Sequence, residues 1–187
     1  MGRKKRIWLP NYFYHVVCRG NRRDALFRDD NDFINFLYIL EQINERYPFE
    51  LASFCLMTNH FHLQIRSHQQ EISKVMALVN RRYASYFNTR HHLTGHLFEK
   101  RYYDKIIPNS KGLLDVSRYI HLNPVAAKMI KKAEDYHWSS FQNYLGSVHP
   151  NYVFLKPQLV LDYFSGTLEE KQEKYREFVR AGTCHHP

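Results

Sequence analysis

The chain has 187 residues, with 27 Lys and Arg against 18 Asp and Glu for a net charge of +9, and it is 44% hydrophobic and 16% aromatic. That size and apolar content fit one domain with a proper core, and no apolar run approaches the ~20 residues that span a bilayer. The three cysteines, Cys18, Cys55 and Cys184, are widely spaced, so neither a disulfide framework nor a CxxC metal site is expected, and a reducing cytoplasm is the simplest setting.

The start, MGRKKRIWLP, is basic with no apolar segment behind it, so it does not read as a secretory signal. NYFYHVVCRG (11–20) is β-branched and aromatic and predicts a strand, followed by a polar, basic loop. Residues 30–48 place Phe33, Phe36, Leu37, Leu40 and Ile43 at helical spacing, with Asp29 or Asp30 to cap the helix and Pro48 to stop it. FELASFCLMT (49–58) and HFHLQIRS (60–67) read as an antiparallel hairpin with a tight turn at Thr58-Asn59. Residues 71–90 predict a helix, 95–108 a strand with broken alternation, and 110–130 a helix reaching at least Asn123. The first six elements give the order β-α-β-β-α-β. The expected fold is therefore α+β, a ferredoxin-like (RRM-like) antiparallel sheet with helices on one face. A short aromatic segment at 135–146 and a small helical C-terminal extension at 147–187 follow the domain at 1–146. Tyr136 and Trp138 are expected to pack that short segment onto the core.

The hairpin carries the first chemical signal. His60 and His62 are two apart on a strand, so both point to one face while Phe61 points into the core. An isolated H-x-H is most often two histidines sharing a solvated face, but two adjacent imidazoles are also a two-point metal ligand set. A second signal is RYIHLNPV (118–125). Tyr119 and Asn123 are four apart and share a helix face, and Pro124 puts Asn123 at a helix end or kink. If that face lies over the sheet, the Asn123 carbonyl oxygen and the Tyr119 hydroxyl reach a metal held by the histidines. His15 and His121 are not expected to be ligands.

HFH on the third strand and RYIHLNP on a later helix resemble the single-tyrosine HUH transposases, the IS200-like group. With YHVVCRGNRRDALF, GHLFEKRYYDKII and YHWSSFQNYLG in the same order, the chain looks like the REP-associated tyrosine transposases, from about residue 6 to 146. The resemblance implies a metal-dependent single-strand DNA nuclease with strand-transfer activity. Tyr119 matches its nucleophile, and His60 and His62 match its metal ligands. Asn123 occupies the position of the third ligand, commonly Gln in the insertion-sequence enzymes. The cofactor implied is a divalent ion, Mg²⁺ or Mn²⁺; two nitrogens and one amide oxygen suit Mn²⁺ somewhat better. The partner implied is single-stranded DNA bearing a hairpin, a REP-like palindrome, met in the cytoplasm at the nucleoid by a monomer or homodimer. A phenol is mostly protonated at neutral pH, so Tyr119 needs activation by the metal or a nearby cation such as Arg118.

Net positive charge interleaved with aromatic rings suits phosphates and unpaired bases. The candidate phosphate contacts are Arg19, Arg22 and Arg23 in the first loop, Arg81 and Arg82 on the second helix, and Arg3, Lys4, Lys5 and Arg6 at the N-terminus. Two other readings compete. One is a transposase that still mobilises its own insertion sequence, which gene neighbourhood would decide. The other is a non-catalytic binder of hairpin nucleic acid on an RRM-like sheet, against which stands the absence of an RNP-like signature.

Overall fold

The computed structural model describes residues 8–146 and 152–182, so Arg3, Lys4, Lys5 and Arg6 lie outside the described residues. Four strands, β1 (Phe13–Arg19), β2 (Glu50–Met57), β3 (His60–Arg66) and β4 (Tyr103–Ile107), form one antiparallel sheet in the order β2-β3-β1-β4. With α1 (Asp30–Arg46) and α2 (Ile72–His91) this is the ferredoxin-like α+β order. The hairpin turn falls at Thr58-Asn59, with Met57 opposite His60. The expected strand over 95–108 is shorter. Only Tyr103–Ile107 joins the ladder, because the preceding segment bonds to the end of β1 and the turn after it, through Glu99 N–H to Arg19 O at 3.1 Å and Asn21 N–H to Leu97 O at 2.8 Å.

The side chains of β3 alternate between two different environments. Phe61, Leu63 and Ile65 face α1 and α2 in the main apolar core, with Val16 and Cys18 of β1 and Leu56 of β2. Phe27, Phe36, Phe61 and Tyr83 pack there as tilted and edge-on rings, the arrangement that aromatic quadrupoles prefer. α1 opens on Asp29, whose carboxylate accepts from the N–H groups of Asn31 and Asp32. The buried Asp32 carboxylate pins the two helices together by taking Arg90 and His91 of α2.

A third helix, α3 (Ser110–Ala126), lies on the other face. Asn109 caps it through Gly112 N–H at 2.9 Å, and it runs through Pro124 for two further residues. Beneath it β3 presents His60, His62 and Gln64. Gln64 is fully buried; it accepts from Ser53 Oγ at 2.7 Å and donates to Leu113 O at 2.9 Å. That contact fixes the start of α3 over one end of β3. From Gln64 to His60 the strand covers about 13 Å. From Leu113 to Asn123 the helix covers about 15 Å. Two elements of matched length, anchored at one end, bring Tyr119 and Asn123 over the two histidines.

The remaining helices, α4 (Phe141–Tyr144), α5 (Gln158–Leu161) and α6 (Leu168–Ala181), build a second apolar cluster on this side, shared with Leu113 and Leu122 of α3. Tyr175 of α6 bonds Ser117 Oγ at 2.6 Å and His121 Nδ1 at 2.8 Å. His121 Nε2 meets Ser140 Oγ at 2.8 Å. Tyr136 donates to Leu56 O at 2.8 Å, and Trp138 stacks on Phe33, as expected for that segment. The outer edge of β2 is covered twice. Residues 138–140 bond to it through Leu56 N–H to Trp138 O at 2.9 Å and Ser140 N–H to Phe54 O at 3.0 Å. Residues 154–156 do the same at its start, through Leu51 N–H to Phe154 O at 2.7 Å and Lys156 N–H to Leu51 O at 2.8 Å.

Candidate active site

Tyr119, Asn123, His60 and His62 line one cavity of about 530 Å³ between α3, the sheet and residues 99–101. Register sets this arrangement: β1 pairs Arg19 with His60 and Val17 with His62, and β4 pairs Tyr103 with Val17. The loop after β1 is locked to the hairpin turn by Gly20 N–H to Asn59 O at 2.9 Å and Leu26 N–H to Thr58 O at 2.8 Å. Gly20 is required there, since a Cβ would collide with the Asp24 carbonyl.

His62 is 3% exposed, and its Nδ1 meets Nε2 of His15 at 2.9 Å. Its Nε2 is buried and has no hydrogen-bond partner. His60 has the same polarity: Nδ1 lies 2.8 Å from Asn59 Oδ1. The two rings are 5.0 Å apart. Burial pushes His62 well below the ordinary imidazole value, with His60 and His15 adding to the fall. Burial, then Arg19, lowers His60. Burial, then Lys105, lowers His15 to about 4. The Asn123 amide offsets part of the fall in both His60 and His62. Asn123 Nδ2 is turned away, donating to Tyr119 O at 3.2 Å.

Tyr119 is 50% exposed, and its ring stands edge-on to His62 at 5.6 Å and to His15 at 5.7 Å. A half-open phenol beside neutral imidazoles is reachable by a large substrate. Arg118, a candidate for activating that phenol, is held elsewhere, by Asp115 at 3.1 Å and over the Phe178 ring at 4.3 Å.

The donor set fits a divalent ion. Two neutral imidazoles each keep Nε2 clear, one of these atoms is buried and orphaned, and the Asn123 amide lines the same cavity. Among the described residues no group of three or more His, Cys, Asp or Glu could hold a metal, so the third donor would have to be the Asn123 amide.

Of the expected phosphate contacts among the described residues, only Arg19 lines this cavity. Arg22 and Arg23 are exposed in the adjoining loop, both at positive φ, with the Arg23 carbonyl accepting from Asn59. Arg81 lines a larger cavity of about 680 Å³ between α2 and residues 95–102. That cavity holds none of the Tyr-His-His-Asn set, so the smaller one is the candidate site; the two meet at Glu99, Lys100 and Arg101. Arg82 is exposed and lines neither. Sequence reasoning missed Lys100, Arg101 and Tyr103, although the basic-aromatic run FEKRYYDK signalled them, and it discounted His15.

Comparison with known proteins bears on the family and the fold. The model of the family described as transposase IS200 like matches residues 9–123. A protein of Haemophilus influenzae named as a REP-associated tyrosine transposase is 24% identical over 142 residues, covering 70% of this chain and 78% of that protein. A solved REP-associated tyrosine transposase bound to a REP hairpin aligns with a TM-score of 0.66 at 16% identity, over 90% of this chain and 93% of that one. At that identity the likeness speaks for the fold.

Proposed function

The chain belongs to the IS200-like transposase family, and from that premise we propose that it is a single-strand DNA endonuclease and strand transferase acting at hairpin, REP-like sequences. Tyr119 is the nucleophile. Its Oη attacks the scissile phosphorus, the bond to the 3′ oxygen breaks, and the products are a 5′-phosphotyrosine and a free 3′-OH. The phenolic proton is lost and the departing oxygen gains one, so the phosphodiester is exchanged rather than hydrolysed. A 3′-OH can then reverse the step, which permits strand transfer without a nucleotide cofactor.

His60 and His62, through Nε2, and Asn123, through Oδ1, would hold a divalent ion, Mg²⁺ or Mn²⁺. When bound, that ion supplies Lewis acidity at the phosphate and offsets charge in the transition state. The chain's own cations do the rest. Arg19, Lys100 and Arg101 line the same cavity and suit a polyanion, and they position the strand without reading its bases. The observation that carries this reading is the convergence of Tyr119, two imidazoles with clear Nε2 atoms and the Asn123 amide in a single cationic cavity. The likeness to a REP-associated tyrosine transposase and to another one bound to a REP hairpin supports REP hairpins as the substrate.

Covalent trapping tests it. The protein is mixed with heat-denatured DNA carrying palindromes and Mn²⁺, resolved under denaturing conditions, and the attached DNA is sequenced. A metal-dependent adduct that disappears in Tyr119→Phe and with EDTA is expected. Reversible DNA binding with no adduct in either Mg²⁺ or Mn²⁺ would overturn the catalytic assignment and leave a hairpin-binding module.

A further inference from the structure

His15 was discounted as a ligand, and its position explains why it is there. We propose that His15 is a positioning residue: it accepts a hydrogen bond from His62 Nδ1, and so dictates that Nε2 is the unprotonated nitrogen of His62. This rests on the reading of His60, His62 and Asn123 as a cation site.

Two tautomer arrangements satisfy the 2.9 Å contact between His15 Nε2 and His62 Nδ1. If His15 donates, the proton of neutral His62 sits on Nε2. That atom is buried and has no partner, so a donor is stranded. It could not bind a cation either. If His62 donates, Nε2 carries a lone pair that a cation satisfies. The proton of His15 then sits on Nδ1, which is not among the buried unpartnered atoms. The second arrangement leaves nothing stranded once a cation is bound.

His60 provides an internal control. Its Nδ1 faces Asn59 Oδ1 at 2.8 Å. An amide oxygen can only accept, so Nδ1 is the protonated atom and Nε2 is again clear. Asn59 is itself held, donating from Nδ2 to Arg23 O at 3.2 Å. Both imidazoles are thus oriented through Nδ1, one by an amide and one by a third histidine 47 residues away. The His15 and His62 rings also stack, with centroids 5.2 Å apart and planes 21° from parallel, which holds the angle of His62 as well as its tautomer. Partners of this kind typically change metal affinity 10- to 100-fold when removed.

The test compares His15→Leu, which cannot accept, with His15→Gln, whose Oε1 can. Mn²⁺ binding is read from the free-ion EPR signal. Expected is a loss of about 10- to 100-fold for His15→Leu and recovery of most of it in His15→Gln, with the thermal midpoints of both unchanged. Long-range ¹H–¹⁵N NMR of the metal-free protein is expected to show His62 protonated on Nδ1 in the wild type and to lose that preference in His15→Leu. Wild-type affinity in His15→Leu, or a proton on His62 Nε2 in the wild-type spectrum, would overturn the proposal. Wild-type protein that takes up no Mn²⁺ would bring down the cation site instead, and the metal-free spectrum would still decide on His15.

Discussion

The two faces of β3 obey different rules although the same seven residues build them. Toward α1 and α2 the strand shows Phe61, Leu63 and Ile65, each fully buried in a dry aromatic and aliphatic core. Toward α3 it shows His60, His62 and Gln64, also largely covered, yet every one holds a specific hydrogen bond. The first face is set by volume and the second by direction. A packed apolar surface tolerates many sequences of similar size, whereas a buried polar row stands only if each atom has a partner. The proposed chemistry is confined to the second face, and the first holds it still.

Truncation on the two faces separates these rules. Phe61→Ala should cost about 3–5 kcal/mol by removing a fully buried ring from the aromatic cluster. Gln64→Ala should cost about 1–3 kcal/mol, because Leu113 O loses its buried donor. Urea unfolding of both variants measures the difference. Equal losses would mean that the α3 face is ordinary packing. Gln64→Ala should also weaken adduct formation, since it frees the start of the helix that carries Tyr119, while Phe61→Ala should act through stability alone.

Acid probes the polar side further. Burial lowers His121 to about 3 from an ordinary 6.5, with the hydroxyls of Tyr175 and Ser140 on its two nitrogens, the Tyr144 ring against it and Arg118 acting on Tyr175. Between those two values the unfolded chain binds a proton that the folded chain refuses. Stability is therefore level above about pH 7 and falls as pH drops toward 3, by up to about 1.4 kcal/mol per pH unit for this group. Urea midpoints at pH 7 and pH 5 should show that slope, added to the same-signed contributions of His15, His60 and His62, and His121→Asn should reduce it; an unchanged slope in the variant would assign the acid loss to other groups.

The smallest effect is expected from the arginines. Arg19→Ala should reduce the slope of log affinity for single-stranded DNA against log salt by about 0.7, and Arg82→Ala should leave it unchanged, since only Arg19 lines the cavity. Equal changes would show that the strand does not follow that cavity.

The order of elements was legible because hydrophobic period is local. Ile72, Val75, Met76, Val79, Tyr83 and Phe87 of α2 announce a helix with no knowledge of its partner. The convergence of Tyr119 and Asn123 on the histidine pair was legible in part, since i,i+2 on a strand and i,i+4 on a helix fix faces; that α3 covers the face opposite α1 and α2 was left conditional. What escaped depends on pairing. His15 reaches His62 only because β1 lies next to β3 in one register, and nothing within ten residues of either states it. Residues 95–102 looked like strand by composition, but Glu99 bonds to the end of β1 and Leu97 to the turn after it. The tie from His121 to Tyr175 spans 54 residues and likewise leaves no local trace.

A chain still emerging from the ribosome with residues through 130 exposed has all four strands but neither segment that covers β2. Leu51–Met57 would then present an apolar strand with a row of open N–H and C=O groups, the kind of edge that recruits a second chain. The covering stretches, 138–140 and 154–156, arrive only later in synthesis. Translation order therefore makes the nascent sheet adhesive for a time, and the last third of the chain acts as its closing strip.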